Sequence, residues 1–228
     1  VTGVQTCALP IYGIKSRLCP FSEIKKDSAI AYLHDGHYQI EYPTPINMEQ
    51  ESLALHGRHN LYNSLAAGLA ASLVGVPAPV LRQCLHDFKG VEHRLERVAE
   101  VDGVLYVNDS KATNVDACHV ALEAMSRPTI LIVGGKDKGN DYNDIKALVR
   151  EKCCGMVYLG ADNAKLHASF DDLGLPVADT HSMKDCVEAC RKMARRGDVV
   201  LLSPCCASFD LFKNMEDRGE QFKAAVKQ

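Results

Sequence analysis

The sequence predicts an α/β protein whose carboxyl-terminal part is a doubly wound, mostly parallel sheet. After Gly90, short apolar runs of strand length alternate with amphipathic stretches of helix length, the pattern of parallel strands joined by crossover helices. Three turns that follow predicted strands, 109–113, 134–139 and 203–209, are polar or glycine-rich, as turns at the ligand-binding edge of an open sheet are. The 228 residues, 46% of them hydrophobic, suffice to bury a substantial core in one or two domains.

In chain order, residues 29–33 are apolar, Asp35 and Gly36 make a turn and 37–42 alternate, so a hairpin is expected, ended by Pro43 and Pro45. Residues 61–74, rich in alanine and leucine, read as a buried helix stopped by Gly75 and Pro77, and a shorter helix follows over 79–88. Strands are then expected near 104–108, 129–133, 155–159, 175–178 and 198–202. Helices fall near 114–125, 141–151, 162–171 and 182–195, with a last one over 215–226. Right-handed crossovers gather the strand ends at one edge. Residues 1–11 have neither periodicity and match a translated sequencing-library adapter, so they stand outside the fold. Protein sequence proper is expected from about Tyr12, with the natural chain extending further upstream.

A net charge of -3, spread along the chain, gives no basic stripe for nucleic acid. No apolar run approaches the ~20 residues that span a bilayer and no signal peptide is visible, so a cytoplasmic protein is expected. The 10 cysteines contain no CxxC spacing, and most read as small buried hydrophobes. Cys186 and Cys190 stand one helical turn apart, but no histidine pattern completes a metal site.

The richest run is Asn108, Asp109, Ser110, Lys111, Ala112, Thr113, Asn114, placed between an apolar strand and a helix. Helix capping needs one such residue, whereas this density suits a ligand held by unpaired backbone N–H groups at a helix start. In Gly134, Gly135, Lys136, Asp137, Lys138, Gly139, the glycines let backbone amides approach an anion; a solvated lysine turn would look the same. The run is neither a Walker loop nor a dinucleotide fingerprint. In 203–210, Ser208 and its neighbouring N–H groups suit a carboxylate, or Ser208 caps a turn, and Asp210 reads as helix-dipole support. Asn60 and Asn63 share a helix face and offer amides to a purine edge, although Asn60 as a helix cap is the plainer reading. His93 and Arg94 sit at the junction of the two halves, where an arginine reaches a phosphate or makes an interdomain ion pair. A nucleophilic Ser110 with His119 is weak, since no GxSxG elbow is present.

Together, GRHN at 57–60 with Asn63, EHR at 92–94, NDSKATN at 108–114, GGKDK at 134–138 and SPCCASFD at 203–210 resemble the Mur ligases of peptidoglycan synthesis, in the branch that adds D-glutamate. The resemblance runs from about Ser16 to the end and is strongest after Gly57. It implies a three-domain parent: a UDP-sugar domain, a central P-loop ATPase and a Rossmann-like domain for the incoming amino acid. Residues 12–91 would be the tail of the ATPase domain and 92–228 the whole third domain, with a hinge near Glu92. The P-loop, the magnesium ligands and a carbamylated lysine would lie upstream, so this polypeptide alone is expected not to turn over.

The implied substrates are ATP with Mg2+, UDP-N-acetylmuramoyl-L-alanine and D-glutamate, handled by a bacterial, cytoplasmic monomer. By resemblance, Asn60 and Asn63 hold adenine, Arg94 and Asp109 the ribose and phosphate side, and Lys111, with Asp109, assists the chemistry. Thr113, Lys138 and Ser208 bind the two carboxylates of D-glutamate, with Phe209 and Met215 beside them. Met215 stands where the family often has phenylalanine, a change that a contact through backbone N–H tolerates. The alternatives are another amide ligase of the superfamily, such as a folylpolyglutamate synthase, or a nucleotide-binding domain without catalysis.

Overall fold

The structure, a computed structural model, describes residues 17–55 and 57–228. The segment 1–11 and the expected start at Tyr12 lie outside the described residues. Those described form two compact units divided between Lys89 and Gly90.

The first unit is a four-stranded sheet, β1 (Phe21–Ser22), β2 (Ala31–His34), β3 (His37–Ile40) and β4 (Ile46–Glu49), in that spatial order, followed by α1 (Arg58–Leu73) and α2 (Ala78–Asp87). The expected hairpin is β2–β3. Asp35 and Gly36 take φ of 49° and 74°, the two left-handed positions that a two-residue hairpin of the right twist requires. Tyr38 and Ile40 from β3 pack on Leu65 and Leu69 of α1 in one apolar cluster. Gly68 leaves room for the Tyr38 hydroxyl, which donates to Ser64 O at 2.9 Å. Two strands of this sheet lie outside the expected hairpin. β1 has only two residues, too short for a period, and β4 begins directly after the prolines that end the hairpin, turns back and pairs antiparallel with β3.

The second unit contains β5 (Glu96–Val101), β6 (Val104–Asn108), α3 (Val115–Glu123), β7 (Thr129–Gly134), α4 (Asn143–Lys152), β8 (Cys153–Leu159), α5 (Ala164–Phe170), β9 (Val177–Thr180), α6 (Met183–Met193), β10 (Val199–Cys205) and α7 (Met215–Val226). The strand order is β5-β6-β10-β7-β8-β9, with every neighbouring pair parallel except β5–β6. This is the mostly parallel sheet that the alternation predicts. β9 sits two residues later than expected, at 177–180 rather than 175–178. The antiparallel β5 was not foreseen, although the Asp102-Gly103 turn that joins it to β6, with φ of 54° and 80°, carries a hairpin signal.

Two cores flank this sheet. Leu105, Val107, Leu131, Val133, Met156 and Leu201 face one side, under α3, α4 and α5. Val104, Tyr106, Ile130, Ile132, Val157 and Leu202 face the other, under α6 and α7. The alternation of one residue up and one down follows from the strand's period of two. With both faces covered, the strands read as continuous apolar runs: Ile130, Leu131, Ile132 and Val133 are all fully buried. Each such side chain contributes about 1.5–3 kcal/mol. Six of the nine described cysteines are buried, Cys186 and Cys190 among them in the α6 core, where burial drives the Cys190 thiol well above its usual range.

Candidate functional site

β6, β10 and β7 are adjacent and parallel, so their carboxyl ends, Asn108, Cys205 and Gly134, lie along one edge of the sheet. With neighbouring strands about 4.8 Å apart, the three turns that follow start within about 10 Å of one another. They are the three turns singled out in the sequence. Lys136 N–H donates to Ala207 O at 2.8 Å, tying the second turn to the third.

Within 108–114 the polar side chains divide by direction. Asn108 is fully buried; its amide nitrogen donates to Glu96 Oε2 at 3.0 Å and faces His93 Nδ1 at 2.9 Å, while its oxygen accepts Ser110 N–H at 3.1 Å. Asp109 is buried as well, and its carboxylate accepts from Leu95 N–H at 3.1 Å and the Ser203 hydroxyl at 3.0 Å. Burial raises its pKa to about 6, against the pull of the Ser203 and Leu95 hydrogen bonds and the Arg94 charge. The Ser110 hydroxyl donates to Met215 O at 2.7 Å and accepts from Arg218 Nε at 2.9 Å. His119 lies instead against Asp144 O and Glu123, so no Ser110–His119 pair forms. Lys111 is exposed and Thr113 half-buried, and Asn114 is the helix cap, accepting Ala117 N–H at 2.8 Å. The capping reading therefore belongs to Asn114 alone within this run.

In the second turn, Gly134 and Gly135 have φ of 136° and 123°, and a Cβ on either would stand 2.4 Å from a backbone oxygen, Leu159 O or Ala207 O. Asp137 is engaged by Lys165 Nζ at 2.9 Å and the Tyr142 hydroxyl at 2.9 Å, which leaves Lys136 and Lys138 as the exposed cations of the turn. In the third turn Ser208 is buried, its carbonyl accepting Phe212 N–H at 2.9 Å, and Phe209 is 66% exposed. Asp210, expected to support a helix dipole, instead accepts Ala161 N–H at 3.0 Å and so braces the turn after β8; no helix starts at that residue. Met215 is the first residue of α7, behind the Asn214 cap, so its N–H is among those with no intrahelical partner.

The upstream candidates are placed as follows. Gly57, not Asn60, is the N-cap of α1, so Asn60 and Asn63 occupy its first two turns three residues apart, with Asn63 exposed. The cap reading of Asn60 is thereby corrected: the chain enters the helix at Gly57 with φ 93°, three residues early. Arg94 is exposed, next to His93 and Leu95, which take φ of 62° and 48°. A Cβ on Gly219 of α7 would meet His93 Nδ1 at 2.2 Å, so this glycine lets the His93 ring seat against the helix. Among the described residues, the one cluster that could hold a metal ion is Glu92, His93 and Glu220. Lys223 already places its ammonium there, against Glu92 and at 2.6 Å from Glu220.

Sequence reasoning missed Arg218, which is 1% exposed and bonds Ser110 and Cys206. The available signal was an Arg-Gly pair inside an otherwise regular helix, where a glycine is costly without a packing reason.

Residues 93–206 match the family model for the Mur ligase glutamate ligase domain, and the chain belongs to the Mur ligase family. It is 60% identical over 218 residues, 95% of its length, to UDP-N-acetylmuramoylalanine–D-glutamate ligase of Bacteroides thetaiotaomicron, and 48% identical over 214 residues to the ligase of the same name from Porphyromonas gingivalis. The chain spans about half the length of these relatives, 49% and 48%. The fold is shared with UDP-N-acetylmuramate-alanine ligase of Thermotoga maritima, at a TM-score of 0.61 and 12% identity over 90% of this chain and 47% of that one. It is also shared with folylpolyglutamate synthase of Mycobacterium tuberculosis, at a TM-score of 0.61 and 15% identity over 84% of this chain and 46% of that one.

Proposed function

We propose that this chain is the carboxyl-terminal half of an ATP-dependent ligase that joins D-glutamate to UDP-N-acetylmuramoyl-L-alanine in bacterial peptidoglycan synthesis. Residues 12–91 then end the central ATPase domain, and 92–228 form the amino-acid-binding domain. The observation that carries the reading is the shared edge of three adjacent parallel strands, which brings together the turns that hold the paired glycines, the exposed Lys138 and the buried Ser208. A compact dianion suits such a donor set. The 60% identity to a named D-glutamate ligase selects the amino acid.

In this reading the γ-phosphoryl group of ATP passes to the alanyl carboxylate, giving ADP and an acyl phosphate. The amine of D-glutamate then attacks the acyl carbon and phosphate leaves. Charge sits on oxygens throughout, so positioning and electrostatics do most of the work. Thr113, Lys138 and Ser208 hold the two carboxylates, with Phe209 and the Met215 N–H beside them, and so aim the amine. Lys111 neutralises charge near the reacting phosphate. Asn60 and Asn63 present amides from one helix face to adenine, and Arg94 faces the ribose and phosphates. Asp109 acts through Leu95 and Ser203, whose donors occupy its carboxylate, and so sets the chain beside Arg94. Mg2+ would screen the transferring phosphates, with its ligands contributed from upstream of this chain.

The enzyme is read as a cytoplasmic monomer acting on small molecules. No described helix is long and apolar enough to cross a membrane, and the net charge of -3 is spread along the chain. Lys138→Ala in the full-length ligase should raise the KM for D-glutamate at least about 10-fold while that for ATP stays within about threefold, the loss of one charge-assisted contact. Equal effects on both substrates reject the assignment.

A further inference from the structure

Beneath the three turns lies one buried cation. The Arg218 guanidinium donates from Nε to Ser110 Oγ at 2.9 Å, from Nη2 to Ser110 O at 2.8 Å and from Nη1 to Cys206 O at 3.1 Å. Nη1 also lies 3.3 Å from where a Cβ on Gly135 would stand, so the group borders all three turns. Every acceptor it bonds is neutral. Asp210, the carboxylate whose field reaches it, spends one oxygen on Ala161 N–H. Burial lowers the guanidinium pKa to about 10, with the Asp210 carboxylate acting the other way.

A clamp between turns does not need a charge. Removing an ion from water costs several kcal/mol, and neutral or apolar groups of similar size often hold a fold as well or better. A fixed positive charge in a dry site has its largest effect where an anion arrives, because little water remains to screen it and no dipoles need to reorganise. The anion expected here, D-glutamate, carries two carboxylates.

Resting on the ligase reading above, we infer that Arg218 is a positioning residue for the dicarboxylate substrate. It holds the turns 109–113, 134–139 and 206–210 at a fixed spacing and supplies from below a positive field shared by Thr113, Lys138 and Ser208. Its bond to Ser110, which in turn donates to Met215 O, extends the same brace to the first turn of α7.

The test is steady-state kinetics of the full-length ligase with Arg218→Met, Arg218→Lys and Ser110→Ala, alongside thermal unfolding of each. Arg218→Met should raise the KM for D-glutamate by about 30-fold, the low end for losing a buried charge that faces a bound anion, with the KM for ATP within about threefold. Arg218→Lys should recover part of that loss, since it restores the charge without the fork. A merely structural arginine predicts a lower melting temperature, both KM values moving together and Lys no better than Met; that result overturns the inference. If Arg218→Met does not fold, Ser110→Ala decides. It keeps the charge but removes one anchor, so a rise of about 3- to 10-fold in the D-glutamate KM alone supports the role. An unchanged D-glutamate KM, or a parallel rise for ATP, rejects it. A wild-type enzyme that does not use D-glutamate refutes the ligase reading itself, an outcome visible before any variant is compared.

Discussion

Raising the pH should cost the Gly90–Gln228 unit stability through one carboxyl group, and Asp109→Asn should abolish that cost. Asp109 is 5% exposed, and burial lifts its pKa from 3.8 to about 6. The folded chain therefore holds this proton more tightly than the unfolded chain does. The stabilisation is fully present below the unfolded value near 3.8 and is lost as pH climbs through about 6. A shift of about 2 units at about 1.4 kcal/mol each gives about 3 kcal/mol. The chain has no tryptophan, so urea unfolding is best followed by circular dichroism at several pH values from about 4 to about 7. Subtracting the Asp109→Asn curve from the wild-type curve cancels the other titrating groups, provided they do not touch this site. The variant should gain about 2–3 kcal/mol on the wild type between the ends of that range. In it, Asn Oδ1 still accepts Leu95 N–H while the Ser203 hydroxyl turns to accept from the new amide. A difference that is flat with pH, or that grows in the wild type's favour, refutes the account.

Three further outcomes follow from the same geometry. Gly135→Ala forces a left-handed φ on a side-chain residue and drives its Cβ to 2.4 Å from Ala207 O, so chemical denaturation should show a loss of about 2 kcal/mol or more. Asn114→Ala removes the cap on Ala117 N–H and should cost about 1 kcal/mol in the same assay, without disturbing the sheet. Leu131→Ala empties a fully buried position under α3–α5 and should cost about 2–5 kcal/mol.

The second unit was legible because its strands are buried on both faces and so stand out as unbroken apolar runs between helical stretches; the last helix falls on the expected residues, 215–226. β5 escaped because it is an edge strand whose burial alternates irregularly, and because it pairs antiparallel within an otherwise parallel pattern. The density of polar residues in 108–114 sets the run apart in the sequence, but density does not tell an inward side chain from an outward one. Asn108, Asp109 and Ser110 turn inward because their partners arrive from elsewhere: Glu96 and Leu95 from the chain before β6, Ser203 from β10, and Arg218 from 108 residues away. Such partners are supplied by topology, and a local window of sequence contains none of it.

The position of β10 between β6 and β7 has a consequence for synthesis. Two neighbours of the central strand are made first and must wait, each with one row of backbone donors and acceptors unpaired, until residues 199–205 leave the ribosome. Pairing across such separations is slow, and a nascent chain halted before that point shows two sticky borders to other chains. Loss of the final thirty or so residues would therefore open the sheet along its middle, whereas trimming β9 at its far margin would remove only a border strand.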